Sequence, residues 1–217
     1  MNKKSITNSL PKLFILSSLL TVLALPAQSQ VIPADIGKPD FDSLSSPEFG
    51  GRNSKNFTAQ DWLELESEMD IPAQSRKQEV LEFIDEVEVR WYVAIEDKAI
   101  KRPVLLTKEI THTNVPVGEK IFTSVYISPN ALTRLTGLDR AIRSTVIVAS
   151  VVVFVGGNQV GVATTKSSYN DDPRKGELWW TAASLSKSAQ VPLLNKNETP
   201  FKAFWYDRYA EIKPERR

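Results

Sequence analysis

The stretch Leu81-Glu82-Phe83-Ile84-Asp85-Glu86-Val87-Glu88-Val89-Arg90-Trp91-Tyr92-Val93-Ala94-Ile95 decides the fold. Its odd positions are apolar except Asp85, and its even positions include Glu82, Glu86, Glu88 and Arg90. A period of two places the apolar set on one face of a strand, whereas a helix would scatter it around the circumference. The same period holds upstream. Leu63, Leu65, Met69 and Ile71 share one face, and Glu64, Glu66, Glu68 and Asp70 share the other, which predicts a half-buried strand with a wet outer face.

Downstream, Val104 to Thr113 and Ile121 to Ile127 are rich in β-branched residues and predict two more strands, the first ended by Val115-Pro116-Val117-Gly118. Ser128 as cap, Pro129 in the first turn and Gly137 at the end predict one short helix. Its Leu132 and Leu135 should pack over one end of the sheets. Thr145 to Val155 is apolar on both faces and predicts a central strand, turned at Gly156-Gly157-Asn158 into a return strand over Val160 to Thr165. Ser167 to Gly176 is a polar loop. Glu177 to Ala182 and Lys202 to Ile212 are expected as the last strands. The fold class is all-β: a two-layer immunoglobulin-like β-sandwich of about 7–8 strands with one short connecting helix.

Three segments are expected. Residues 1–29 read as a signal peptide: Lys3, Lys4 and Lys12 precede the uncharged Leu13 to Leu25, and Pro26-Ala27-Gln28-Ser29 supplies small residues for cleavage after Ala27 or Ser29. The apolar run of thirteen residues is short of the ~20 that span a bilayer. Residues 30–57 read as a flexible Pro/Gly-containing arm, either a solvated tail, a tether or a strand lent to a neighbour. Residues 58–217 form the sandwich. The chain is therefore expected to be exported to the periplasm, the outer-membrane surface or the exterior, with no integral membrane span after leader removal.

The chain has no cysteine, which excludes disulfides, thiol catalysis and cysteine metal sites. Without Lys3, Lys4 and Lys12 the 27 basic residues become 24 against 26 acidic ones, a formal charge of −2. With basic residues dispersed, that balance argues against nucleic acid as a partner. His112, the single histidine, reads as a polar strand residue, because a triad or a two-histidine metal site needs more. Adjacent carboxylates in the Glu64, Glu66, Glu68, Asp70 row would sit ~6.5–7 Å apart, a spacing used in glycoside hydrolysis, yet an exposed charged face that discourages aggregation explains it as well. Asn170-Asp171-Asp172 lacks the spacing of a calcium loop and reads as a turn. No cofactor and no catalytic or metal residue is expected. Trp179 and Trp180 form the candidate binding surface, since one ring of an adjacent pair on a strand faces out, either as a sugar platform or an interface anchor or covered by a second sheet or a loop. Phe204-Trp205-Tyr206 poses the same question of burial on both faces or a sticky exposed face.

The order of "DWLELE" (Asp61 to Glu66), "FIDEVEVRWYVAI" (Phe83 to Ile95), "VYISPNALTRL" (Val125 to Leu135) and the Val-rich strand turning at Gly156-Gly157 resembles the pilus-like, immunoglobulin-fold exported proteins of the Verrucomicrobia, associated with a type IV pilus gene cluster. The resemblance covers most of the chain after the leader. It implies a cell-envelope location and a non-catalytic, pilus-associated role acting through protein partners, with self-association among the options. One departure stands out. Type IV pilins keep a long apolar helix after processing, whereas here the apolar segment precedes the expected cleavage site. The alternative reading is a carbohydrate- or glycoprotein-binding module.

Overall fold

The computed structural model describes residues 33–48, 58–72, 75–76, 79–80, 82–138, 140, 142–188 and 190–214. The expected leader, 1–29, lies outside them, as do residues 30–32 and 49–57 of the arm. In chain order the strands are β1 (Asp35–Ile36), β2 (Asp40–Ser45), β3 (Asp61–Asp70), β4 (Ser75–Arg76), β5 (Glu79–Val80), β6 (Phe83–Asp97), β7 (Arg102–Pro116) and β8 (Lys120–Ile127). Helix α1 (Pro129–Thr136) follows, then β9 (Val146–Val155), β10 (Asn158–Thr164), β11 (Ser186–Lys187), β12 (Leu194–Asn195) and β13 (Glu211–Ile212). The first sheet runs β1-β3-β8-β12, with β2 continuing along the β1 side of β3. The second runs β10-β9-β6-β7-β11, with β13 also on β7. The two form an immunoglobulin-like sandwich.

Periodicity in β6 has the consequence read from it from Val87 onward, while Phe83 at the start of the strand is 56% exposed. Val87, Val89, Trp91, Val93 and Ile95 are fully buried between the sheets, against Leu63, Leu65 and Met69 of β3 and Val151 and Val153 of β9. Burying an aliphatic side chain of this size contributes about 1.5–3 kcal/mol, so this one face dominates the core. Helix α1 begins and ends where its sequence says. Ser128 Oγ accepts from Ala131 N–H, and Gly137, at φ 69°, donates its N–H to Thr133 O. Gly156 and Gly157, at φ 56° and 78°, close the β9–β10 hairpin in the left-handed region that such a tight turn requires.

Three expectations about secondary structure need correction. Part of the arm is a strand: Asp35–Ile36 and Asp40–Ser45 pair with β3 of the same chain. Gly37 and Pro39 interrupt the periodicity that would have marked it. Asp40 and Asp42 accept from the N–H groups of Phe41 and Ser43, which occupies donors an incoming strand would use. Glu177 to Ala182 is not a strand, since Trp179–Thr181 is a 3₁₀ turn. Lys202 to Ile212 is a succession of 3₁₀ turns, with strand only at Glu211–Ile212. Within it Tyr209 packs edge-on against Phe122 of β8, while Tyr206 is left 65% exposed.

The terminal segments close the two open sides of the sandwich. On one side, Ala34 N–H donates to Val160 O of β10 at 2.8 Å before the chain joins β3. Gly161 makes this crossing possible, because a Cβ there would lie 2.5 Å from Ile36 Cγ1 and 3.2 Å from Ala34 O. On the other side, β12 pairs with β8 of the first sheet and β13 with β7 of the second. His112 of β7 is the joint. It is a buried core-facing residue, not merely a polar strand residue. Its Nδ1–H donates to the carbonyls of Ala210 and Glu211 at 3.1 and 3.2 Å, and its Nε2 accepts from Thr123 Oγ1 of β8 at 2.9 Å. Burial lowers its pKa to about 4, against the raising effect of the two carbonyls.

Gly161→Ala is expected to cost roughly 1–3 kcal/mol by overpacking and to increase hydrogen exchange at residues 34–37. Chemical denaturation with exchange mass spectrometry measures both, and an unchanged midpoint would contradict the close crossing. The His112 assignment predicts a pH dependence. Because the folded value lies below the unfolded one, the unfolded chain takes up the proton first. The imidazole's contribution is complete above about pH 6.5 and is lost as pH falls to about 4, a span worth about 3 kcal/mol. His112→Gln, which keeps a donor and an acceptor, should lack that limb in pH-resolved denaturation curves. Parallel curves for the two proteins would refute the assignment.

Candidate functional site

The outer face of the first sheet carries the carboxylate row. Register sets Asp42 beside Glu64 and Glu64 beside Tyr126, and in the next tier Asp40 beside Glu66 and Glu66 beside Ser124. Like charges directly opposite on neighbouring strands destabilise a sheet unless something compensates. Here the C-terminal segment does so. Tyr126 donates to Glu64 Oε1 at 2.6 Å and itself accepts from Ser124 Oγ at 3.1 Å. Tyr209 donates to both Glu64 and Glu66, and Arg208 binds Glu66 through Nε and Nη2. The face is therefore not the solvated one expected from the sequence, and Glu64 is buried. Burial holds its carboxyl above the ordinary range; the hydrogen bond from Tyr126 works against this, and the neighbouring charge of Glu66 adds to it.

Lys196 completes this polar cover. It is buried, its ammonium donates to Phe204 O, and it lies 4.8 Å above the Tyr209 ring. Burial lowers its pKa, with the charge of Glu64 opposing. The guanidinium of Arg208 sits 3.6 Å above the ring of Phe122.

Aromatic rings extend the same cover. Tyr126 stacks on Phe201 with centroids 5.5 Å apart, and Phe201 stacks on Trp205 at 6.4 Å. Trp62 meets the edge of Phe201 at 5.8 Å. Trp205, at φ 50°, sits in the left-handed region and leaves 51% of its surface exposed. A cavity of about 490 Å³ opens beside it, walled by Asp40, Asp42, Glu64, Glu66, Arg208 and Tyr209 together with Phe41 and Leu44. The sequence signals were the alternating carboxylates and the Phe204-Trp205-Tyr206 run. Nothing in either said that the two would meet.

Trp179 and Trp180 lie elsewhere, on the outer face of the second sheet. Trp179 is buried with Ala94, Leu105 and Val148, and its Nε1–H donates to Ser150 Oγ at 2.7 Å. Trp180 is half-buried and stacks flat on Tyr92, with centroids 4.7 Å apart and planes 11° apart. Adjacent residues of a 3₁₀ turn are about 120° apart, so both rings can cover one sheet. Asp172 binds Arg174 through a two-pronged contact and also caps its N–H, and these hydrogen bonds hold its carboxyl down to about 2. Its acceptors thus serve the loop's own cation. Among the described residues, no cluster of three or more His, Cys, Asp or Glu is arranged to hold a metal, and no helix is long and apolar enough to cross a membrane.

A solved structure from Akkermansia muciniphila matches this chain with a TM-score of 0.72 at 28% identity, covering 85% of this chain and 94% of that one. No curated protein matches. A protein-family model matches residues 25–216, nearly the whole chain. The chain belongs to that family, the family of an Akkermansia muciniphila pilus-like protein.

Proposed function

We propose that this protein is a non-catalytic structural and interaction protein of the cell envelope, exported by its leader and associated with a pilus. The observation that carries this reading is the family match over residues 25–216. The chemistry of the described residues supports it. Both nitrogens of His112 are used to join the sheets, and Glu64 and Glu66 are bound by tyrosine hydroxyls and a guanidinium. Groups spent on holding the fold are poorly placed to transfer protons to a substrate. The contacts with other proteins are then made by the outer surfaces of the sandwich, while the arm strands Asp35–Ile36 and Asp40–Ser45 serve its own sheet.

Fractionation of native cells with N-terminal mass analysis and crosslinking tests this. The expected result is a chain beginning near Gln28 or Gln30, in the envelope or released fraction, crosslinked to itself or to pilus components. An intact chain in the cytoplasm, or a hydrolytic activity abolished by Glu64→Gln, would overturn it.

A further inference from the structure

We propose that the cavity beside Trp205 binds a neutral saccharide, with the indole as its stacking platform. This goes beyond the envelope role and stands independently of it.

The platform is built before any ligand arrives. Trp205 is the last ring of the Tyr126–Phe201–Trp205 stack, and the first ring is anchored through its hydroxyl to buried Glu64. A ring fixed in this way gives up little freedom on binding. Half of the indole nevertheless remains exposed at the mouth of a concavity, although Phe201 and Phe204 already pack against it. An apolar surface held rigid and left open in this way suits the C–H face of a sugar ring. The cavity's 490 Å³ falls within the roughly 300–1,000 Å³ of small-ligand sites.

The lining selects the class of ligand. Carboxylate oxygens of Asp42, Glu64 and Glu66 accept, while the guanidinium of Arg208 has N–H groups to donate beyond those bound to Glu66. Sugar hydroxyls do both, so they match a wall that offers both. An anionic sugar would face four carboxylates against one guanidinium. A neutral saccharide avoids that repulsion, and its hydroxyls donate to the carboxylates while its C–H face covers the indole.

Saturation-transfer NMR on the purified protein tests this, with the methyl glycosides of glucose, galactose, N-acetylglucosamine and N-acetylgalactosamine, and a lysine/arginine oligopeptide as the competing class. At least one glycoside is expected to bind at millimolar concentration. Trp205→Asn, whose side chain tolerates the left-handed backbone, should weaken that binding by at least about tenfold. Asp42→Asn should weaken it as well, and serves as the readout if the Trp205 variant misfolds. Three results would overturn the proposal: no glycoside binds the wild type, one binds Trp205→Asn and Asp42→Asn as well as the wild type, or only the basic peptide binds.

Discussion

One buried imidazole ties three parts of the chain together. His112 projects from the second sheet, accepts from Thr123 of the first, and donates to the carbonyls of Ala210 and Glu211. A buried polar group is tolerated only when its hydrogen bonds are made, so this triple engagement fixes the separation of the sheets and the path of the C-terminal segment together. What lies beyond depends on it. The turns at Pro200–Ala203 and Tyr206–Arg208 carry Phe201, Arg208 and Tyr209 onto the first sheet, where they neutralise and cover carboxylates that would otherwise repel one another. The opposite side is closed by steric fit, with Ile36 seated where Gly161 lacks a side chain.

The regular half of the molecule was legible. Strict alternation in β6, capping residues around α1 and paired glycines after β9 each admit one local structure. The C-terminal segment was not, because alternating aromatics look alike in a strand and in a run of 3₁₀ turns. A readable signal was nevertheless present. Asn195 and Glu198 form a capping box, and Thr199 caps the turn that begins at Pro200, both marks of turns rather than of strand. The same limit applied to the tryptophans. The sequence offered Trp179-Trp180 as the unusual pair, but the turn that holds them folds both onto one sheet. Trp205 is half exposed because its ring lies at the end of a stack that starts at Tyr126, a residue far from it in sequence, and passes through Phe201, four residues before it.

The carboxylate row shows how one pattern serves two ends. Read alone, four acidic residues on one strand face suggest a solvated surface or a pair of catalytic acids. In the folded chain Glu64 and Glu66 anchor a cover, and the cover makes the cavity. The family match describes a pilus-like protein without naming what such a sandwich touches. Its surfaces supply the chemistry: an edge strand whose donors are occupied by its own aspartates, and an aromatic platform open beside hydrogen-bonding side chains.

The C-terminal segment is an integral wall of the sandwich. Native-state hydrogen exchange measures this directly through the amides of Ala210 and Lys213, which donate to Phe122 O and Thr111 O. They are expected to exchange in the same slow class as the amides of β8, and His112→Gln is expected to accelerate them. Fast, tail-like exchange of residues 196–213 beside a protected β8 would contradict it.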